Sequence, residues 1–481
     1  MPTPAVHLIS TSTVKPCFSR HYQPPQRCNL TPWDLSILSV HYIQKGLLFY
    51  RPNSSDGQEQ EGLTITTIIE RLKHSLSHAI AHFYPLAGRL VTEMDPSSSF
   101  IHIFIDCNDA GGEFIHAAAD MTVANVLSPP DVPPIVRSFF PLTGAVNHDG
   151  HSLPLFAVQL TELIDGFFLA CSFNHVVGDG SSFWHFFNSW SEISRKSIPL
   201  ESDHVEITRP PVIARDFIHD VEKSPVRLHF SHPDEFIDRF SLPPLRERFF
   251  HFAAESIARL KAKANEEQKT GNKISSFQAL MAHLWRSMTR ARRLPDDLTT
   301  CCRYAIDNRS RLDPPLSRDY FGNCIQSKPV TATVGELLAN GLGWAAWLLH
   351  DSVVSHSDAT ARQAYRAWIE APFVYSLRIL DAGAVVIGSS PRFDVYGVDF
   401  GWGKAVAVRS GQDNKFDGRV IAFPGREGGG SADMEICLAP EVMSALESDE
   451  DFMDAVSPTN ERDTVGPTAS QPTAVQLDGV L

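Results

Sequence analysis

The sequence predicts an α/β fold with mixed sheets, divided between two lobes. Through the first 200 residues, short strand-like runs alternate with helix-like runs. Residues 197–245 are rich in proline and charge, which is typical of a segment that crosses between two units. The chain has 481 residues, of which 43% are hydrophobic. A chain of this length usually contains two or more domains or one large bilobed unit.

The first predicted lobe covers residues 1–196, and its elements follow from apolar spacing. Residues 64–81 place isoleucine and leucine at helical intervals, and a turn containing proline and glycine ends that helix. Residues 99–106 predict a strand, and 155–160 with 166–173 predict a hairpin, because polar residues separate two apolar runs. Residues 181–193 return to helical spacing, with Ser181 or Ser182 as the expected cap.

The second predicted lobe covers residues 246–446 and follows the crossover at 197–245. It begins with an aromatic strand, continues with a charged helix through Lys263, and contains a capped helix from Ser275 to Arg290. Beyond residue 447 the chain becomes acidic and then rich in proline, threonine and serine. Residues 447–481 are therefore predicted to form a disordered tail.

Composition excludes several classes of function. The net charge of −14 disfavours non-specific binding to nucleic acid or anionic lipid. No run of about 18 apolar residues occurs, so no membrane span is predicted, and the N-terminus lacks the pattern of a signal peptide. The eight cysteines form no CxxC pair, and Cys301 and Cys302 are interpreted as small strand residues. We expect a cytoplasmic monomer without a bound metal.

The spacing HxxxD occurs three times and identifies nothing by itself. With 20 histidines in the chain, about one or two matches are expected by chance. The pair His102 and Asp106 lies inside an extended run, where both side chains share one face. The second pair, residues 116 and 120, encloses three alanines in a featureless helical or loop stretch. Neither of these two pairs predicts a site.

The third match, His175 and Asp179, has a different context. An apolar strand precedes it, and Gly178, Gly180 and an aromatic helix follow it. A histidine held by a tight turn at a strand end is a common way to position a base on a rigid scaffold. The alternative, a buried structural histidine in an ordinary βα turn, remains open on spacing alone.

Other chemical motifs are missing from the sequence. It contains no GxSxG, no GxxxxGK[ST], no HExxH and no GxGxxG after a strand. The glycine run at 428–430 is not followed by lysine and serine or threonine, and it is interpreted as a turn between strands. Hydrolase and nucleotide-binding functions are therefore disfavoured.

Several segments together resemble the plant BAHD acyltransferases. The sequences HVVGDG at 175–180 and DFGWG at 399–403 are similar to the two signatures of that family. Matching blocks also occur at 31–36 (TPWDLS), 84–89 (YPLAGR), 307–312 (DNRSRL) and 320–323 (YFGN). The order and spacing agree over residues 5–446, which makes a chance match implausible.

The resemblance implies two lobes like chloramphenicol acetyltransferase, with an active-site channel between them. Acyl-CoA would enter as a co-substrate from one face and a small-molecule acceptor from the other, with no permanently bound cofactor. His175 would be the general base that moves an acyl group from coenzyme A to a hydroxyl. Formation of an amide on an amine stays open, as does a protein of this fold that binds ligand or has lyase chemistry. Carrier-protein-dependent condensation domains share HxxxDG but usually carry a second histidine where this chain has Asn174.

The resemblance also implies roles for other residues. Asp179 and Gly180 would be structural, with Asp179 paired to Arg309 or Arg311. Asp399 occupies the family's proton-acceptor or structural position, and we expect it to act as scaffold with its neighbours in the DFGWG loop, which are Gly401, Trp402 and Gly403.

The resemblance also implies a contact with coenzyme A, and the chain departs from the family pattern in one segment. Ser275, Ser276 and Lys273 would contact coenzyme A at a helix N-terminus, unless Ser275 is a plain helix cap. Many hydroxycinnamoyl-transferring members carry Thr-Ser-Trp before DFGWG, whereas this chain has Gly388-Ser389-Ser390. The usual oxyanion donor is therefore in doubt, and a serine hydroxyl is the expected substitute.

Overall fold

The structure is a computed structural model. The structure describes residues 5–18, 24–51, 64–94, 100–196, 205–215, 226–230, 232–239, 244–269, 271–376 and 383–457. Within these residues the chain forms two six-stranded mixed sheets and a smaller three-stranded sheet. The predicted α/β fold of two lobes, each built on a mixed sheet, is confirmed.

The first large sheet has the order β1-β6-β7-β8-β3-β13. Its strands are β1 (Val6–Val14), β3 (Ile43–Tyr50), β6 (Gly112–Ala119), β7 (Phe156–Glu162), β8 (Gly166–Phe173) and β13 (Ala407–Ser410). Strands β7 and β8 form the predicted hairpin, with Leu160 opposite Leu169. Every residue of β8 is buried, which explains its unbroken apolar sequence.

The second large sheet has the order β11-β10-β12-β14-β15-β9. Its strands are β9 (Arg246–Phe252), β10 (Thr299–Asp307), β11 (Ile325–Thr333), β12 (Ala384–Ser389), β14 (Arg419–Pro424) and β15 (Ala432–Leu438). Strands β10, β12 and β14 are mutually parallel, and antiparallel strands flank them. The small sheet consists of β2 (Arg27–Asn29), β5 (Ile101–Asp106) and β4 (Arg89–Met94).

Helices cover the sheets, and their boundaries follow capping residues and apolar spacing. The helices are α1 (Pro32–Leu35), α2 (Ile65–His82), α3 (Val123–Leu127), α4 (Gly180–Arg195), α5 (Ala254–Gln268), α6 (Ser276–Arg292), α7 (Val334–Ala339), α8 (Leu342–Val354), α9 (Asp358–Glu370), α10 (Pro440–Glu447) and α11 (Glu450–Ala455). Helix α2 begins where the Thr64 side chain accepts from the Thr67 backbone, and it buries Leu72 and Leu76 on one face. Helix α4 packs beside it in the first core.

Two predicted boundaries are wrong. The first sheet is completed by β13, which comes from the predicted second lobe and pairs with β3, Ala407 opposite Leu48. The predicted tail also begins too early, because α11 is helical and fully buries Phe452 in the second core. An acidic stretch at 447–454 therefore folds because its aromatic residue finds a partner, Phe250, with ring centroids 5.0 Å apart. Residues 458–481 lie outside the described residues, as do parts of the crossover at 197–245.

Two further local predictions are corrected. The cap of α4 is Asp179 instead of Ser181 or Ser182, since the Asp179 carboxylate accepts the Ser182 backbone N–H at 3.0 Å. His116, expected in a helix or loop, lies in strand β6, where its Nε2 is 2.7 Å from Glu162 Oε1 on the neighbouring strand. Three alanines sit in a strand there because β1 and β7 flank it on both sides.

Candidate active site

His175 lies in the short connection between strand β8 and helix α4. Strand β8 ends at Phe173 and α4 begins at Gly180, so the histidine stands on two buried elements. Its backbone N–H donates to Asn147 Oδ1 at 2.8 Å. The residue is partly buried, whereas Asn174 and Val176 on either side are fully buried. The main chain is therefore held rigidly while the imidazole keeps some access to its surroundings.

The orientation of the imidazole is set by Asn323, from the opposite half of the chain. The Asn323 Nδ2 group donates to the His175 carbonyl at 2.7 Å and to Asp34 Oδ1 at 2.8 Å. Both amide hydrogens are thus in use, and the Oδ1 atom faces His175 Nδ1 at 3.1 Å. An amide oxygen only accepts, so Nδ1 carries the proton and the neutral ring has its lone pair on Nε2.

Asp34 anchors this arrangement from helix α1. Its Oδ2 accepts from the Thr31 backbone at 2.7 Å and from the Thr31 hydroxyl at 2.8 Å, and it pairs with Arg215. The side chains of Asp34 and Arg215 are 0% and 5% exposed. Arg215 also donates to the Val177 carbonyl at 2.7 Å, two residues beyond His175. Because both oxygens of the buried Asp34 carboxylate are hydrogen-bonded, the position of Asn323 is well defined.

Burial controls the protonation of His175. Removal from water lowers the pKa of the imidazole below its usual value, because the charged form loses hydration. Asp179 and Asn323 oppose this shift, and the positive charge of Arg419 adds to it. A histidine with a lowered pKa is neutral at neutral pH and can accept a proton at Nε2.

Asp179 forms a buried ion pair with Arg309 that joins the two lobes. Its carboxylate accepts two hydrogen bonds from Arg309, at 2.8 and 3.0 Å, and one from the Cys324 backbone at 3.1 Å. The pair is buried, with side chains 0% and 5% exposed. Of the two predicted partners, Arg309 forms the pair, whereas Arg311 donates to the carbonyls of Val353 and His356.

The DFGWG loop lies at the far end of helix α4. Asp399 accepts from the backbones of Gly401 at 2.7 Å and Gly403 at 3.2 Å, and its carbonyl accepts from Arg195 at the last turn of α4. A 16-residue helix is about 24 Å long. Asp399 therefore lies at the opposite end of α4 from His175, and its expected role as scaffold stays a prediction.

The two glycines and the tryptophan of the DFGWG loop are explained by backbone angles and packing. Gly401 and Gly403 have φ of 103° and 107°, which favours glycine. A Cβ at Gly401 would also lie 2.6 Å from the Arg71 guanidinium. Trp402 stacks on Phe400 with ring centroids 5.4 Å apart and fills the first core. The loop consequently ties the second half of the chain to α4 and the first sheet.

The residues predicted to contact coenzyme A lie together at the start of helix α6. The Ser275 hydroxyl accepts from the Gln278 backbone at 3.2 Å, and the Gln278 side chain accepts from the Ser275 backbone at 2.9 Å. This is a capping box, so Ser275 caps the helix, and its contact with coenzyme A stays a prediction. Ser276 opens the first turn and the exposed Lys273 precedes it.

The Gly388-Ser389-Ser390 segment ends strand β12. Ser389 has a φ of 65°, and the Ser390 hydroxyl accepts from the Arg392 backbone at 3.2 Å. Beside this segment, an ideal Cβ on Gly388 would lie 2.3 Å from Nη2 of Arg419. The arginine therefore occupies the space that a side chain at position 388 would need.

Sequence reasoning missed four residues of the site: Asp34, Asn147, Arg215 and Asn323. Asp34 and Asn323 lie in the TPWDLS and YFGN blocks. The motifs therefore marked these two residues, but did not indicate what they do. Asn147 and Arg215 carried no local signal, because their partners are 28 and 38 residues away along the chain.

Within the described part of the chain, no group of three or more histidine, cysteine, aspartate or glutamate side chains could hold a metal ion. Likewise, no helix among the described residues is long and apolar enough to cross a membrane.

Comparison with known sequences gives one family over nearly the whole chain. A family model described as "Transferase family" matches residues 5–453. An uncharacterized acetyltransferase of Arabidopsis thaliana is 37% identical over 465 residues, which cover 93% of this chain and 99% of the relative. The BAHD acyltransferase DCR of Arabidopsis thaliana is 33% identical, with 93% of this chain and 92% of the relative covered. A hydroxycinnamoyl-CoA:5-hydroxyanthranilate N-hydroxycinnamoyltransferase of Avena sativa is 28% identical, with 91% and 98% covered.

Solved structures agree on the fold. Vinorine synthase superimposes with a TM-score of 0.70 at 18% identity, covering 94% of this chain and 98% of that one. TRI101 of F. sporotrichioides, solved with coenzyme A and T-2, superimposes with a TM-score of 0.67 at 18% identity, covering 89% and 98%. At this identity the likeness concerns the fold.

Proposed function

Because the chain belongs to the BAHD family of acyltransferases, we propose that it transfers an acyl group from acyl-CoA to a hydroxyl acceptor, with His175 as general base. The enzyme is accordingly an O-acyltransferase that transfers groups other than amino-acyl groups. One observation carries the assignment of the base: Asn323 orients the imidazole so that Nε2 holds the lone pair.

The proposed reaction is a direct transfer. Nε2 of His175 removes the hydroxyl proton while the acceptor oxygen attacks the thioester carbonyl carbon. The tetrahedral intermediate collapses by breaking the carbon–sulfur bond, and Nε2 returns the proton to the leaving thiolate. The products are an ester and free coenzyme A. A serine hydroxyl of the Gly388-Ser389-Ser390 segment is the proposed donor to the oxyanion, since Thr-Ser-Trp is replaced there.

Binding of the donor is assigned to the start of α6. A helix N-terminus attracts phosphate through its free backbone N–H groups, and Lys273 adds a positive charge beside it. Ser275 and Ser276 would present these groups to coenzyme A, which is consumed as a co-substrate. The coenzyme A bound in the solved TRI101 structure supports a donor of this class.

An amide product is the second candidate. The name of the Avena sativa relative specifies N-acylation, so one family includes enzymes that use both kinds of acceptor atom. The same base would then remove a proton from the attacking amine. We favour the hydroxyl because a neutral alcohol depends more strongly on a base than a free amine does.

The proposal includes a monomer located in the cytoplasm. The net charge of −14 disfavours attachment to anionic membranes and supports a protein that stays dispersed. Sedimentation equilibrium of the purified chain at two concentrations tests the monomer, and a fluorescent fusion tests the location.

A panel of substrates tests the reaction. Acetyl-, malonyl-, benzoyl-, coumaroyl- and fatty acyl-CoA are crossed with alcohol and amine acceptors, while free thiol is followed by colour and product by mass. His175→Ala is expected to lower kcat by about 10²–10⁴-fold. The matched control is His102→Ala, which removes the histidine of another HxxxD match and keeps turnover. Full turnover by His175→Ala would refute the base, and no thiol release with any pair would favour the ligand-binding or lyase alternative.

A further inference from the structure

Arg419 stands on the face of the second sheet that meets the first lobe. Along strand β14, Val420 and Ala422 belong to the second core, whereas Ile421 and Phe423 belong to the first core. Because side chains alternate along a strand, Arg419 shares the face of Ile421 and Phe423. His175 is close enough to this guanidinium for the positive charge to lower the pKa of the imidazole.

A second arginine lies in the same row of the sheet. Arg303 on β10 is opposite Val386 on β12, and Val386 is opposite Arg419 on β14. Two strand spacings separate the arginines, about 9–10 Å. Both therefore face the first lobe across one valine.

Neither arginine is neutralised by a carboxylate among the residues that the structure describes. Arg419 lies 5.8 Å from the Phe416 ring, and its buried Nε has no hydrogen-bond acceptor. Arg303 donates to the Ser327 hydroxyl at 3.3 Å, and its Nε is also unsatisfied. Burial lowers the pKa of Arg419, and the charge of Glu435 on the same face opposes this shift. The oxygens of Glu435, however, bond Lys415 at 2.7 Å and the Ser410 hydroxyl instead of the arginine.

Lys45 adds a cation from the opposite sheet. Its Nζ lies 4.8 Å from the centre of the Phe423 ring, and it belongs to strand β3 of the first lobe. The pKa of this amine is lowered to about 7, mainly by burial; the charge of Glu435 opposes the shift and that of Arg419 adds to it. Two sheets thus present positive groups toward one place near the base.

Gly388 makes room for the Arg419 guanidinium. An ideal Cβ at this position would lie 2.3 Å from Nη2 and 3.1 Å from Nη1. This chain has Gly388 where many hydroxycinnamoyl-transferring members have threonine. A threonine side chain at position 388 would need the space that the Arg419 guanidinium occupies, so the glycine and the arginine depend on each other.

Partly buried cations without counter-ions are costly unless a bound ligand supplies the negative charge. The phosphates of coenzyme A cannot do so here, because the uncharged pantetheine arm separates them from the thioester that reacts at His175. We propose that Arg419, admitted by Gly388 and assisted by Arg303 and Lys45, binds a carboxylate carried by the acyl donor or by the acceptor. This inference rests on the proposed acyl transfer and specifies its substrate class.

The test has one arm for each substrate. Malonyl-CoA is compared with 3-methylbutanoyl-CoA, which replaces the carboxylate by an isopropyl group of similar shape. Mandelate and 4-hydroxybenzoate are compared with their methyl esters as acceptors. The variants are Arg419→Gln, Arg419→Lys, Gly388→Thr and, as a matched control, Arg318→Gln, whose side chain is 80% exposed. Turnover gives kcat/KM, and calorimetry gives the binding of the same compounds independently of turnover.

We expect the wild type to prefer the charged member in at least one arm. Arg419→Gln should lower kcat/KM for that member by about 10–100-fold while the neutral member changes little. Gly388→Thr should have the same effect, Arg419→Lys a smaller one and Arg318→Gln none. The inference would be overturned if the charged and neutral substrates bound equally well in both arms. It would also be overturned if Arg419→Gln lowered kcat/KM equally for the charged and the neutral substrate. Charge-selective binding without thiol release would instead refute the proposed function alone.

Discussion

The buried ion pair between Asp179 and Arg309 offers the sharpest test of how the two lobes are joined. Arg309→Met keeps most of the side-chain volume and removes the charge. In the structure the guanidinium donates twice to Asp179, and also to the carbonyls of Tyr320 and Gly322, each at 3.1 Å. It also donates to the Asp307 carboxylate at 3.1 Å, so the substitution leaves two carboxylates and two carbonyls without these donors.

The magnitude follows from what Asp179 retains. Its remaining donors are the backbone N–H groups of Ser182 and Cys324, at 3.0 and 3.1 Å. A buried charge that loses its partner typically costs about 3–5 kcal/mol. We expect Arg309→Met to lower the free energy of unfolding by about that amount. Arg309 holds the pKa of Asp179 below its usual value against the effect of burial. This stabilisation is present above the pKa of the unfolded state and is lost as pH falls through the folded-state pKa.

Urea unfolding at pH 7 measures the effect, together with Asp179→Asn and the double variant. The double variant should be more stable than the sum of the single losses predicts, because the buried charge of Asp179 is no longer present to be left unpaired. The matched control is Arg311→Met, which loses two contacts to carbonyls and no ion pair, and should cost clearly less. A loss of under about 1 kcal/mol for Arg309→Met, or strict additivity in the double variant, would refute the reasoning.

Four other predictions concern the site and its support. Because burial lowers the pKa of His175, kcat/KM should rise with pH and then level off, and the midpoint of the rise should lie below the usual histidine pKa of about 6.5. A midpoint above that value would contradict the assignment. Asn323→Ala should lower kcat by about 10–100-fold, since the Nδ1 proton loses its acceptor and Asp34 loses a donor. Asn323→Asp should move the acidic limb to higher pH, because a carboxylate stabilises the imidazolium, and an unchanged pH profile would refute the orienting role. Trp402→Ala should lower the free energy of unfolding by about 3–5 kcal/mol while the folded fraction keeps its kcat, and a selective loss of kcat would contradict a packing role.

Apolar spacing and turn residues predicted most helices and strands correctly where local sequence alone determines the element. The helix at 65–82 and the hairpin at 156–173 follow from apolar spacing and turn residues, which act within a few positions. Prediction went wrong where distant partners override local preference. His116 lies in a strand because two neighbouring strands pair with its own. The acidic stretch after 447 is helical because Phe452 is buried in the second core.

In the candidate site, too, local motifs identified residues, whereas the fold determined their roles. HxxxD with its flanking strand and helix selected His175, and the additional blocks identified the family. The roles within those blocks depended on the fold, because Asp399 is attached to the far end of α4 and Asn323 reaches His175 from 148 positions away.

The sequence by itself determined the α/β class, the family and the histidine, since these are carried by local patterns and by ordered motifs. The tertiary structure alone decided which nitrogen of His175 is free, which arginine holds Asp179, and that the charge of Arg419 acts on the base. Those properties depend on hydrogen-bond directions and burial between segments more than 100 residues apart. Spacing along the chain carries no information about such directions.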